Sequence, residues 1–189
     1  MESRTIIIIT VITGIISAGG GGGTTTLDPT VPVIEANIDG RQGRNGWYTS
    51  EVVDVSWKVN DRESRITSRN GCDPTTITED TTGTKLTCEA KSAGGTNSES
   101  VTIKKDATPP VITAIHSGIG DGAVYAEQLV PSKPICDASD DVLGIDSEGC
   151  KVSGYSATVG SHTITFTATD NAGNTATAPE EISYQIVVG

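Results

Sequence analysis

Thr30-Val31-Pro32-Val33-Ile34-Glu35-Ala36 recurs as Thr108-Pro109-Pro110-Val111-Ile112-Thr113-Ala114, 78 residues later. Leu86-Thr87-Cys88-Glu89-Ala90 is echoed by Ile164-Thr165-Phe166-Thr167-Ala168 at the same offset of 78. Ala93-Gly94-Gly95-Thr96 then matches Ala172-Gly173-Asn174-Thr175 at 79, one residue having been inserted. Three blocks in one order at one spacing mark two copies of a folding unit. Hydrophobicity in both copies alternates with period two, the pattern of half-buried strands. Val53, Val55, Trp57 and Val59 interleave with Asp54, Ser56, Lys58 and Asn60, which points Trp57 inward. Val31 and Val33 open the first repeat, and Val111, Ile112 and Ile115 the second. Leu86, Cys88 and Ala90 are mirrored by Ile164, Phe166 and Ala168; Val101 with Ile103 closes one repeat, and Tyr184, Ile186 and Val188 the other. Turn dipeptides such as Asp39-Gly40, Asn45-Gly46 and Asn70-Gly71 separate the runs, and no helical period is sustained. The expected fold is all-β, with β-sandwiches over residues 31–107 and 108–189.

Units near 78 residues bury only modest cores. Aromatics are 4% of the chain, so each core needs a staple beside its Val and Ile. The four cysteines fall two per repeat, Cys72 with Cys88 and Cys136 with Cys150. Four cysteines permit three connectivities, and pairing within each repeat is the simplest because each unit must fold alone. Zinc is the rival use, but Cys-x2-Cys is absent and neither histidine completes a ligand pattern. Disulfides imply an oxidising compartment. The formal net charge of −11 argues against nucleic acid and anionic membrane as partners.

Residues 1–18 form a hydrophobic, Ile-rich segment, followed by a Gly/Thr-rich linker over 19–30 that contains five consecutive glycines. As a helix, residues 5–17 would span about 20 Å, short of the roughly 30 Å hydrocarbon core, so no stable membrane span is expected in the mature chain. The length suits a signal-peptide core with Ile16-Ser17-Ala18 before the cut. Ile6-Ile7-Ile8-Ile9 also has high strand propensity, and on its glycine tether it could add to the sheet edge of a neighbouring subunit.

Gly40-Arg41-Gln42-Gly43-Arg44-Asn45-Gly46-Trp47-Tyr48, the Asn70-Gly71-Cys72-Asp73 turn and the Ala168-Thr169-Asp170-Asn171-Ala172-Gly173-Asn174-Thr175 stretch lie within these repeats. From about Pro32 onward the chain resembles bacterial immunoglobulin-like repeats of secreted and cell-surface proteins. The resemblance implies tandem immunoglobulin-like sandwiches in an extracellular setting, serving as stalks, adhesin segments or accessory modules.

Catalytic motifs are missing: there is no Gly-x-Ser-x-Gly, no His-Glu-x-x-His, and no phosphate-binding glycine loop before a helix. His116 and His162 each stand alone in sequence. The expected function is therefore a non-enzymatic extracellular structural or adhesive module. Its rivals are a self-assembling filament subunit using the Ile-rich strand and a carbohydrate-binding accessory. Partners would be a protein, a glycan or further copies of the chain. Trp47 and Tyr48 are the expected binding surface. No cofactor is required; calcium is the one ion the acidic loops could take, through Asp106, Asp137, Asp140 and Asp141. The competing reading of these aspartates is that they make turns.

Overall fold

The computed structural model describes Thr5–Ile6 and residues 27–189. Fourteen strands and one short 3-10 turn, but no α-helix, are found among the described residues. No helix there is long and apolar enough to cross a membrane. The chain divides into two compact units. Unit 1 comprises residues 1–42 and 50–105; unit 2 comprises 43–49 and 106–189. The assignment of 43–49 to unit 2 differs from the continuous 31–107 domain read from the sequence.

The strands of unit 1 are β1 (Thr5–Ile6), β2 (Val33–Asp39), β3 (Val53–Asn60), β4 (Ser68–Asn70), β5 (Thr75–Ile77), β6 (Thr81–Ser92) and β7 (Gly95–Lys105). They form two sheets, β1-β2-β3-β5 and β4-β6-β7. Those of unit 2 are β8 (Val111–His116), β9 (Ala123–Ala126), β10 (Ile135–Ser139), β11 (Ile145–Ser153), β12 (Gly160–Asp170), β13 (Thr175–Thr177) and β14 (Ile182–Val187). Here a β8-β10 pair faces a five-stranded sheet, β11-β12-β14-β9 with β13 on β12. All pairings are antiparallel except β9 on β14. The fold class is thus all-β, with sandwich packing in each unit.

Core parity corrects the sequence reading at the start of each repeat. Ile34, Ala36 and Ile38 are buried, whereas Val33 is 38% exposed. In the second repeat Val111 is 62% exposed and Ile112 faces in. The reason is proline. Pro32 and its counterpart Pro110 are themselves buried, so they occupy the first inward slot and the alternation counts from them. The last strand behaves similarly: Tyr184 and Ile186 are buried and Val188 is exposed.

Each sandwich carries one bridge, with Cys88 fully buried in unit 1 and Cys136 and Cys150 half-buried in unit 2. Cys72–Cys88 spans 16 residues and Cys136–Cys150 spans 14. On the chain-entropy account a closed loop near that length contributes about 3 kcal/mol. In unit 1 the fully buried Cys88 packs with Ile34 and Ala90, flanked by half-buried Trp57, Val59 and Cys72. In unit 2 the corresponding slot holds Phe166, packed with Ile119, Ile164, Tyr184 and Ile186. The two bridges therefore sit on different strands of one plan, and where one repeat has a core cysteine the other has an aromatic.

Candidate site: paired acidic loops at one end of each repeat

Two loop clusters bring carboxylates within 4.8 Å of one another: Asp28, Asp61 and Glu63 in unit 1, and Asp106, Asp140 and Asp170 in unit 2. They are the same position in the two repeats. Asp28 and Asp106 are 78 apart, and Asp61 and Asp140 are 79 apart, the offsets that align the surrounding strands. Asp170 falls 78 after Ser92.

The shared loop chemistry confirms the equivalence. Asp28 Oδ1 accepts the Thr30 N–H at 3.0 Å, and Asp106 Oδ1 accepts the Thr108 N–H at 3.3 Å. Asp61 Oδ1 accepts the N–H groups of Glu63 and Ser64, both at 2.9 Å. Asp140 Oδ1 accepts those of Val142, Leu143 and Gly144 at 2.9–3.1 Å. Gly94 donates its N–H to Ser92 Oγ at 3.2 Å, and Gly173 donates to Asp170 Oδ1, at the same position of the second repeat, at 2.6 Å. A side chain at 94 is excluded, because its Cβ would lie 1.7 Å from the Thr30 carbonyl oxygen. These are Asx turns in which short carboxylates hold loop N–H groups.

The two clusters differ in what faces the carboxylates. In unit 1 the Ser64 hydroxyl donates to Asp28 Oδ2. The Ser92 hydroxyl lies beside Asp61 and lowers its carboxyl below the ordinary value. In unit 2 the position of Ser64 is Leu143, 79 residues on, and that of Ser92 is Asp170. Two hydroxyls are thus replaced by an apolar side chain and a third carboxylate. Asp106 and Asp170 are both 0% exposed, with Asp140 half-buried. Asn174 offsets part of this charge, its Nδ2 donating to Asp170 Oδ2 and to the Asp106 carbonyl, each at 2.8 Å. Converging carboxylate oxygens are the donor set of a hard cation such as calcium.

Hydrogen bonding holds two unit 1 carboxyls below the ordinary 3.8. For Asp28 the main cause is the Ser64 hydroxyl, followed by the Thr30 and Gly94 N–H groups. For Asp61 it is the Ser92 hydroxyl, then the N–H groups of Ser64 and Glu63. Groups that ionise more readily when folded contribute fully above the unfolded carboxylate range, and that contribution disappears as pH falls through their lowered values. The melting temperature of unit 1 is therefore expected to hold from pH 7 to 5 and to fall below about pH 4. Circular-dichroism melts across that range check this, and Asp61→Asn should flatten the decline.

Of the four aspartates named from sequence, Asp106 and Asp140 belong to the unit 2 cluster. Asp137 and Asp141 do not. Asp137 sits on β10, where its exposed carboxylate meets His116 Nε2 at 3.0 Å, and Asp141 is exposed beside the loop. The third member is Asp170, which lies more than sixty residues from Asp106 and joins it through the β12 turn. The repeat offset pairs Asp106 with Asp28 and Asp140 with Asp61, but it sets Asp170 against Ser92, so the repeat alone does not mark it.

Trp47 and Tyr48 are each only 6% exposed, so neither is a binding surface. They belong to a turn in which Trp47 N–H bonds the Arg44 carbonyl and Gly43 N–H the Trp47 carbonyl. Asn45 and Gly46 supply the left-handed backbone, φ 55° and 77°. Within unit 2 this turn is fixed by Arg44 N–H to the Ala172 carbonyl, by Asp106 N–H to the Tyr48 carbonyl, and by an Arg44–Asp146 ion pair at 3.0 Å. The two aromatics are used internally to anchor 43–49.

No protein-family model matches the chain, and no curated protein matches it. A solved structure is weakly similar. It is titled "Protocadherin gammaB7 EC3-6 cis-dimer structure", with 18% identity and a TM-score of 0.24 over 100% of this chain. The chain spans about half that structure's length, 51%. A likeness of this size carries no argument about function.

Proposed function

We propose that the chain is a non-enzymatic extracellular module, a structural or adhesive spacer of two immunoglobulin-like sandwiches of the bacterial surface type. The observation that carries this reading is a disulfide inside each unit, since such staples persist in oxidising compartments. A surface cleft beside β2 and β3 has a volume of about 380 Å³. Its lining, which includes Val33, Glu35, Lys58, Asn60 and Asp61, holds no histidine or cysteine and fits a surface role. The carbohydrate-binding alternative loses its aromatic platform with Trp47 and Tyr48 buried.

Calcium belongs to this proposal. Asp106, Asp140 and Asp170 would hold it, completing in unit 2 what serine hydroxyls complete in unit 1. The compartment is tested by extracting the protein from its native source under a thiol-alkylating reagent at neutral pH. All four cysteines should escape alkylation until reduced; four alkylated thiols would contradict an extracellular life.

A further inference from the structure

We propose that the Cys136–Cys150 bridge of unit 2 is a thiol-exchange site for a small anionic thiol, whereas Cys72–Cys88 of unit 1 is sealed against exchange. Cys136 and Cys150 are both half-buried, and both line a surface groove of about 560 Å³. Ligand-binding clefts typically measure roughly 300–1,000 Å³. The groove lies between the start of β10 and the end of β11. Among the described residues β10 pairs only with β8, and β11 only with β12. Two edge strands of different sheets meet here, and the bridge is their covalent link.

Exchange needs one sulfur that can be reached and a second that can leave with negative charge. The incoming thiolate attacks one cysteine sulfur in line with the S–S bond. A mixed disulfide forms, the old bond breaks, and its electron pair leaves on the other cysteine, which takes a proton from water. One disulfide replaces another, so the thiol supplied is the only co-reactant. Without it the bridge stays closed. In unit 1 neither direction of attack is favourable. Cys88 is 0% exposed and packed with Ile34 and Ala90, so no thiol reaches it. Attack on the half-buried Cys72 would leave the charge on Cys88 inside that apolar cluster, where a thiolate is a poor leaving group. In unit 2 both cysteines face the groove, so the attacked sulfur is reachable and the leaving one is hydrated.

Charge selects the class of thiol. Lys133 and Lys151 line the groove and are exposed, and none of its lining residues is acidic. Glu148 pairs with Lys151, but the two side chains are 61% and 57% exposed, and ion pairs so open to solvent are weak. Asp137, the neighbour of Cys136, meets His116 instead. On a chain of net charge −11 this is a local cationic spot beside a disulfide. It favours an anionic thiol over a neutral one. Glutathione, a tripeptide thiol with two carboxylates, has that chemistry. The product carries the tripeptide on one edge strand of unit 2 and a free thiol on the other.

The test exposes the full chain, folded and oxidised, to glutathione at neutral pH, with N-ethylmaleimide quenching and peptide mapping. Glutathione should appear on Cys136 or Cys150, with the other alkylated, roughly tenfold faster or more than on Cys72 or Cys88. The rate should hold constant through low urea, because attack occurs on the folded protein. A rate that climbs with urea would mean exchange through unfolding and would overturn the proposal. So would opening of Cys72–Cys88 first or at the same rate, or resistance of both bridges until the chain unfolds. The double variant Lys133→Gln with Lys151→Gln, at exposed positions, tests the class of thiol. It should slow glutathione by roughly threefold or more and leave mercaptoethanol, which is neutral, nearly unchanged. An equal effect on the two thiols would refute selection by charge.

Discussion

Phe166→Ala is expected to unfold unit 2 while leaving unit 1 folded. Phe166 is 0% exposed and stands at the centre of a core built with Ile119, Ile164, Tyr184 and Ile186. Truncating a buried phenylalanine costs about 3–5 kcal/mol, a large share of the 5–15 kcal/mol that holds an ordinary domain. Two-step thermal melts should lose one transition, and proteolysis should degrade residues 106–189 first. The contrast is Trp57, the inward aromatic of the first repeat. It is only half-buried, and its Nε1 is a buried donor without an acceptor among the described residues. A stranded donor costs on the order of 1–3 kcal/mol, so Trp57→Phe should be close to neutral.

Lys105→Ala should be nearly as damaging to unit 1. Lys105 ends β7 with its side chain 2% exposed. Its Nζ donates to the Asp80 carboxylate at 2.8 Å and to the Thr78 carbonyl at 2.9 Å. Removing the cation leaves a carboxylate that is only 18% exposed facing no ammonium. Breaking one partner of a buried pair costs about 3–5 kcal/mol. The double variant Lys105→Met with Asp80→Asn should recover much of that loss, because both charges then leave together. Urea unfolding of the three proteins measures it. If the double variant is no more stable than Lys105→Ala, the pair is not what holds this corner.

How much of this was readable beforehand differs by level. The repeat and its alternation announce two β-sandwiches, because side-chain period two follows directly from strand geometry. The inward face of β6 and of β12 was legible for the same reason. The parity of β2 and β8 was not, since a count that starts from Val31, Val33 and Val111 passes over the proline that fills the first core slot. Trp47 and Tyr48 look like surface aromatics after an Asn-Gly turn. Backbone hydrogen bonds to Ala172 and Asp106 tie the 43–49 turn into unit 2, a long-range event that no local pattern encodes. The acidic cluster was half legible. Asp106 and Asp140 stand out by charge, but Asp137 and Asp141 stand out equally; only the fold separates them, with Asp137 exposed on β10 and Asp141 exposed in the loop that follows.

The central claim is that unit 2 is a cation-completed version of unit 1. Scanning calorimetry of the full chain, in millimolar calcium and in EDTA, tests it most directly. Binding at a hundred times Kd stabilises by about 2.7 kcal/mol, which for a domain of this size raises Tm by roughly 10–20 °C. The account predicts that calcium moves the unit 2 transition by that amount, leaves the unit 1 transition in place, and moves neither transition in Asp170→Ser. Superimposable curves in calcium and in EDTA would contradict it.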